Sequence, residues 1–173
     1  MSTIGLKQGT VELHPYSADW ASLFAAEKAR LEGVIGQYVL DIQHIGSTSI
    51  PNMPAKPILD IGVAVQNFEA AAVCIAPLEA LGYDYRGENG IPRRHLFVKG
   101  IDRTHHLHMN EITSRDWRIT IAFRDYLRSH PDVAREYAAL KRSLAQQFPT
   151  DRLAYTEGKA PFIQNILELL NVS

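Results

Sequence analysis

The stretch His44–Val65, HIGSTSIPNMPAKPILDIGVAV, constrains the fold more than any other part of the chain. It closes on an apolar run of strand length, PILDIGVAV, that carries one carboxylate, Asp60. Side chains alternate along a strand, so Ile61, Val63 and Val65 share one face while Asp60, Gly62 and Ala64 share the other. An acid among apolar and small residues is costly to bury unless a cation or metal pairs with it. Its face is stripped of bulk, which leaves room for something to sit there. The plainer alternative is an aspartate at the strand edge, paired with Lys56 or an arginine.

The residues before that strand have a chemistry of their own. Gly46 permits a tight or strained turn after a strand, and Ser47, Thr48 and Ser49 add hydroxyls beside backbone N–H groups. If a short helix begins after Gly46, those N–H groups face an anion at its positive end. This is phosphate-binding chemistry, although the G-x-x-x-x-G-K-[ST] order of a Walker A loop is absent. For an isolated Gly-Ser stretch, a simple turn cap is the commoner explanation.

Elsewhere, SADWASLFAAEKARLEGVIG reads as a helix with Ser17 as candidate N-cap, and YVLDIQHIG alternates as a strand. NFEAAAVCIAPLEALG reads as a helix closed by Gly82, with Pro77 marking a kink or break. Three short strands follow, YDYRG, RRHLFVKG and THHLHMNE, separated by turn residues and suited to antiparallel hairpins. From Ser114 the pattern turns helical: one helix ends before Pro131, a second begins at Pro131, and a last one covers roughly Pro161 to Leu170. Helix, strand, strand, helix, strands, helices is an α+β order, a mixed sheet with helices mainly on one face and a helical C-terminal part. With no repeat or Gly/Ser linker, residues 1–173 are expected to form a single domain.

Hydrophobic content of 46% with 21% charge is that of a globular chain. A net charge of −1 gives no general attraction to nucleic acid or anionic membrane, so any anion site must be local and neither partner is expected. The lone cysteine, Cys74, lies in an apolar stretch and reads as a core thiol of a reducing compartment. The N-terminal residues show no apolar signal-peptide region, so a cytoplasmic location is expected.

In THHLHMNE, His106, His108 and Asn110 share the face opposite Leu107 and Met109. Two histidines at i, i+2 joined by Asp60 would suit a zinc-like ion better than magnesium, whereas a His-rich exposed strand is the plainer account. Arg93 and Arg94 lie on opposite faces, so only one of them can point at a given site. Arginine forks suit phosphate. Lys56, Arg118 and Lys159, the last following Gly158 just before the expected final helix, are further candidates. Lys56, Arg93, Arg94 and Lys159 together with the Gly-Ser loop suggest an anion-binding cleft.

A Gly-Ser pair at a strand end, followed about a dozen residues later by an acid on the next strand, resembles the nucleotidyltransferase fold of the DNA polymerase beta superfamily. More narrowly, HIGSTSIPNMPAKPILDI resembles the signature of the GrpB family, relatives of which occur fused to dephospho-CoA kinase. VELHPYSADWASLFAAEKARL, RRHLFVKG, HHLHMNE and YTEGKAPFI extend the resemblance over nearly the whole chain. The resemblance implies that Gly46 and Ser47 belong to a loop holding nucleotide phosphates, a role the transferase reading extends to Thr48 and Ser49. It also implies that Asp60 is the first acid of an Asp-x-Asp pair which, with a third acid on a later strand, holds Mg2+ or Mn2+, with a transition metal ranked behind. In the transferase reading Lys56 or an arginine would meet the developing charge. Gly62 stands where the second acid belongs. Two functions stay open: metal-dependent nucleotidyl transfer, or a degenerate module that binds a nucleotide or phosphorylated metabolite without turnover. A protein partner or homodimer is compatible with either.

Overall fold

The structure is a computed structural model that describes residues 3–172; the outermost residues of the expected 1–173 domain lie outside these. Helix α1 spans Asp19–Ile35, and the Ser17 hydroxyl accepts the Asp19 N–H at 3.2 Å just ahead of its first turn. Strands β1 (Asp41–Ile45) and β2 (Leu59–Val65) follow. The segment expected as one helix divides into a 3-10 turn, Ala70–Cys74, and a short helix α2, Ile75–Ala80. Pro77 occupies the first turn of α2, where its missing N–H has no intrahelical acceptor to lose. Strands β3 (Tyr83–Tyr85), β4 (Arg94–Lys99) and β5 (His105–Glu111) come next. Helices α3 (Arg115–Ser129), α4 (Pro131–Gln147) and α5 (Arg152–Leu169) complete the chain.

The five strands form one mixed sheet in the order β1-β2-β5-β4-β3. β2 and β5 run parallel, and every other pair is antiparallel. The alternation in β2 has the expected effect. Ile61 and Val63 are fully buried with Leu107, Met109 and Phe97, under Leu31 and Ile35 of α1 and Leu78 of α2. Each such side chain taken out of water contributes about 1.5–3 kcal/mol. Cys74 belongs to this core, and burial pushes its thiol up to about 11.

One acid is built into the same layer. Glu27 of α1 is 3% exposed, accepting hydrogen bonds from the Tyr83 hydroxyl at 2.7 Å and from Lys99 Nζ at 2.8 Å. It ties the helix to β3 and β4. Helices α3–α5 pack on one another around Leu127, Tyr137, Ala138 and Ile166. They reach the opposite sheet face through Trp117 of α3, whose ring lies against Gly62.

The final helix begins nine residues before the expected Pro161. The Asp151 carboxylate accepts the Ala154 N–H at 3.0 Å and caps the first turn, and Pro161 sits inside the helix. Gly158 has no room for a side chain, since a Cβ there would lie 2.5 Å from Leu144 Cδ2 on α4. Both residues that look like helix breakers are therefore accommodated within α5, the glycine by close helix–helix packing. Lys159 is accordingly a mid-helix residue, not one that precedes a helix.

Among the described residues no helix is long and apolar enough to cross a membrane.

Candidate functional site

β1 delivers the chain to Gly46, whose backbone takes φ +70°. A 3-10 turn, Ser47–Ser49, then begins, as the residues suggested. The glycine is required twice over. Its φ is in the left-handed region, and a Cβ would lie 2.5 Å from Asp60 Oδ2. Two of the three hydroxyls are committed to the turn itself. Thr48 Oγ1 lies 2.9 Å from Nε2 of buried His44, and the Ser49 hydroxyl donates to the Gly46 carbonyl. His44 stacks on Phe24, and burial lowers its pKa to about 4, so it stays neutral at neutral pH. Helix α3 braces the turn from outside: Arg124 donates to the His44 carbonyl at 2.9 Å and Arg128 to the Ser49 carbonyl at 2.9 Å. Ser47 is left facing a cleft.

That cleft has a volume of about 320 Å³ and lies between the Gly46 turn, the end of β2 and helices α3–α5. The size falls in the roughly 300–1,000 Å³ range of small-molecule sites. The cations that line it are Lys56, Arg124, Lys141, Arg152 and Lys159, together with Asp60 and His106. Lys56 and Lys159 lie over the Tyr155 ring at 5.7 and 4.4 Å from its centroid. Burial lowers the Lys159 pKa to about 8; Lys56 and Arg152 push in the same direction and Asp60 opposes them. Burial likewise lowers Lys56, with Asp60 again opposing. Lys141 is 2% exposed and donates to the Pro54 carbonyl at 2.6 Å, its pKa well below the ordinary value through burial. Several cations thus crowd one half-dry space with, among the described residues, one carboxylate, an arrangement that favours an anionic guest.

On the sheet face beside the cleft, the parallel pairing sets Asp60 opposite His106 and Gly62 opposite His108. Asp60 Oδ1 lies 3.6 Å from His106 Nδ1 and 3.5 Å from His108 Nε2. Burial works to raise the Asp60 pKa, but the two imidazoles outweigh it and hold the carboxyl well below its usual range. Candidate ligand atoms of the three residues lie within 4.8 Å of one another, close enough for one ion.

A two-acid magnesium centre does not fit these residues. The position of the second acid is Gly62, and the space there, which the sequence suggested was empty, is filled. A Cβ would meet Trp117 at 3.1 Å and Ile45 at 3.2 Å. One carboxylate with two imidazoles is also a poor match to magnesium, which prefers oxygen ligands in octahedral geometry.

Of the residues proposed from sequence, Gly46, Ser47, Thr48, Lys56, Asp60, His106 and Lys159 line the cleft, whereas Ser49 supports the turn behind it. Arg93 is elsewhere: its guanidinium is held by Glu69 at 2.8 Å and Glu111 at 2.7 Å. Arg94 is buried beside the histidines, with Nη1 3.4 Å from His108 Nδ1 and its other donors on the Glu88 and Asn89 carbonyls. Arg118 lines a separate groove with Trp117. Sequence reasoning missed Lys141, Arg152 and Tyr155. Lys141 carried a signal, since it falls at helical spacing on the buried stripe Ala134, Tyr137, Ala138, Leu144 of α4. Tyr155 and Lys159 are an i, i+4 pair, legible once α5 is seen to begin at Arg152.

The sequence profile of the family described as "GrpB protein" matches residues 10–169. The UPF0157 protein YqkA of Bacillus subtilis is 46% identical over 91% of this chain and 46% of its own length. The glutamate-rich protein GrpB of Alkalihalophilus pseudofirmus is 38% identical over 95% of this chain and 98% of its own. The chain thus spans nearly all of one relative and about half of the other. A dephospho-CoA kinase of Mycolicibacterium paratuberculosis is 25% identical across 95% of this chain and 47% of its own length. Among solved structures, the conserved protein GrpB from Enterococcus faecalis superposes with a TM-score of 0.85 at 36% identity, over 91% of this chain and 96% of that one. The Cid1 poly(U) polymerase bound to Mg 3′-dATP superposes with a TM-score of 0.57 at 14% identity, over 83% of this chain and 49% of that one. At that identity the likeness is one of fold, and the fold is nucleotidyltransferase-like.

Proposed function

The chain belongs to the GrpB family, and from that premise we propose that its cleft binds a nucleotide or other phosphorylated small molecule and acts on it by nucleotidyl transfer. The observation that carries the reading is that Lys56 and Lys159 line one cleft together with the Gly46 turn and Asp60. A phosphate group between them restores favourable solvation to two lysines whose charge burial disfavours. Ser47 supplies a hydroxyl at the same place, and Tyr155 offers an apolar ring beneath the cations. In this reading Lys56 and Lys159 stabilise charge on the reacting phosphates, and Asp60 orients what binds beside the turn.

A second reading, binding without turnover, is favoured by the packing of Trp117 on Gly62, which occupies the place of the second acid. The two readings are separated by thermal unfolding with a panel of nucleoside triphosphates, with divalent ions or with EDTA, alongside a pyrophosphate-release assay. A ligand at about 100 times its dissociation constant adds ~2.7 kcal/mol to the folded state. A midpoint rise of several degrees with release of pyrophosphate supports transfer. The same rise with no product supports the binding module, and no rise with any nucleotide overturns transfer and nucleotide binding alike, leaving only a phosphorylated ligand that is not a nucleotide.

A further inference from the structure

We infer that Asp60, His106 and His108 form a site for one transition-metal ion, and that this site discriminates against magnesium. The inference shares its cleft with the phosphate reading and rests on that reading only for what the ion would meet there.

Three observations carry it. The ligand atoms of the three side chains lie within 4.8 Å of one another. They project from adjacent rungs of β2 and β5, the parallel pair in the middle of the sheet, so the backbone that holds them is fixed on both sides. Their side chains are 31%, 18% and 27% exposed, which leaves coordination positions open to solvent or to a bound ligand. Two imidazoles and one carboxylate make a nitrogen-rich donor set, suited to Zn2+ or Co2+, or to Fe2+ as a facial group of three. The close packing of Trp117 and Ile45 over Gly62 removes the route by which the chain would supply a second carboxylate for magnesium.

Arg94 tunes this site. A guanidinium is always a donor, so its approach to His108 Nδ1 at 3.4 Å makes that nitrogen the acceptor and places the imidazole proton on Nε2, facing Asp60 Oδ1. An ion taking Nε2 must displace that proton, and the ring then needs a hydrogen on Nδ1, opposite a donor. Metal-binding histidines ordinarily donate their other N–H to an acceptor. The contact is long and therefore weak, so it lowers affinity without closing the site. Arg94 is thus a positioning residue that sets the tautomer of His108.

The test uses the full chain stripped by a chelator, without any nucleotide. Co2+ is titrated while its visible d–d absorption is followed, and Zn2+, Mn2+ and Mg2+ are measured by competition and calorimetry. The expected result is one equivalent of Co2+ with imidazole-type absorption, Zn2+ and Co2+ binding at least 100-fold more tightly than Mg2+. Affinity falls at least tenfold in each of Asp60→Asn, His106→Gln and His108→Gln, with circular dichroism unchanged. In Arg94→Gln, whose side-chain carbonyl can accept from Nδ1–H, affinity rises. The wild-type titration decides by itself if a variant fails to fold: no stoichiometric Co2+ spectrum, or Mg2+ binding as tightly as Co2+, overturns the site. Weaker binding in a folded Arg94→Gln protein overturns the role given to Arg94. Because no nucleotide is present, failure here leaves phosphate binding untouched, and failure of the nucleotide experiments leaves the metal site untouched.

Discussion

Gly46 and Asp60 are packed so closely that a single methyl group on Gly46 would lie 2.5 Å from the Asp60 carboxylate. The turn and the acid are therefore one unit, since the turn's backbone path exists only because Gly46 takes φ +70° with nothing on its Cα. Gly46→Ala is expected to cost about 1–3 kcal/mol of stability, the range for backbone strain of this kind. It should also shift Asp60 away from His106 and His108. Denaturant unfolding checks the first effect, and loss of Co2+ binding in the folded variant checks the second.

Trp117 decides the fate of residue 62. Placing the second acid there by Gly62→Asp should not create a two-acid magnesium site, because its Cβ alone would lie 3.1 Å from the indole and 3.2 Å from Ile45, tighter than ordinary van der Waals contact. Overpacking of this sort costs roughly 1–3 kcal/mol. The double variant Gly62→Asp/Trp117→Leu should recover part of that loss. A double-mutant cycle in denaturant is expected to give a coupling of at least about 0.5 kcal/mol in favour of the pair. Additive effects would show that Trp117 does not hold the position.

On the proposed reading, Lys159 makes anion binding pH-dependent. Its folded-state pKa of about 8 lies below the ordinary lysine value of 10.5, so between those values the unfolded chain binds more protons than the folded one. Stability therefore rises with pH across that window, and the penalty for burying the charge is fully present below about pH 8. Lys159→Met is expected to raise the thermal midpoint at neutral pH, with the gap closing as pH approaches 10.5. Phosphate affinity should move the other way, falling as pH rises through about 8, where the cleft loses one cation. Lys56, Lys141, Arg152, Tyr155 and Asp60 also face this space, and Lys159→Met should flatten only the part of the profile due to Lys159. Unfolding and calorimetry from pH 6.5 to 10.5 read both effects.

Glu27 is a buried polar tie on the far face of the sheet. Burial works to raise its pKa, but Lys99 and the Tyr83 hydroxyl bring it below the ordinary carboxylate value. Its contribution is thus present above the unfolded value and lost as pH falls through the folded one. Glu27→Ala leaves Lys99 Nζ without its buried acceptor and should cost about 3–5 kcal/mol, measured by denaturant unfolding at neutral pH.

Much of this fold could be read from local pattern. Alternation in β2 and β5 placed Asp60, His106 and His108 on the faces they occupy, because side-chain direction in a strand follows from parity alone. The hairpin strands β3–β5 and helices α1, α3 and α4 were likewise legible from period and turn residues. The start of α5 was not. Gly158 and Pro161 look like breakers, and only the close approach of Leu144 explains why a glycine is wanted there. That error hid Tyr155 and misplaced Lys159. The partners of the arginines were beyond local pattern too. Arg93 pairs with Glu69 and Glu111, residues 24 and 18 positions away, so nothing near it in sequence signals that its charge is already used. The packing of Trp117 on Gly62 is a contact between a strand and a helix 55 positions later, and the sequence alone left that space looking empty.

The most direct test of the central claim is a crystal structure of the protein with a non-hydrolysable nucleoside triphosphate that binds in solution. The account predicts phosphate density in the cleft, against Lys56 and Lys159 and beside the Gly46–Ser47 turn. A triphosphate found on another surface, with the cleft unchanged between Lys159 and Asp60, would contradict it.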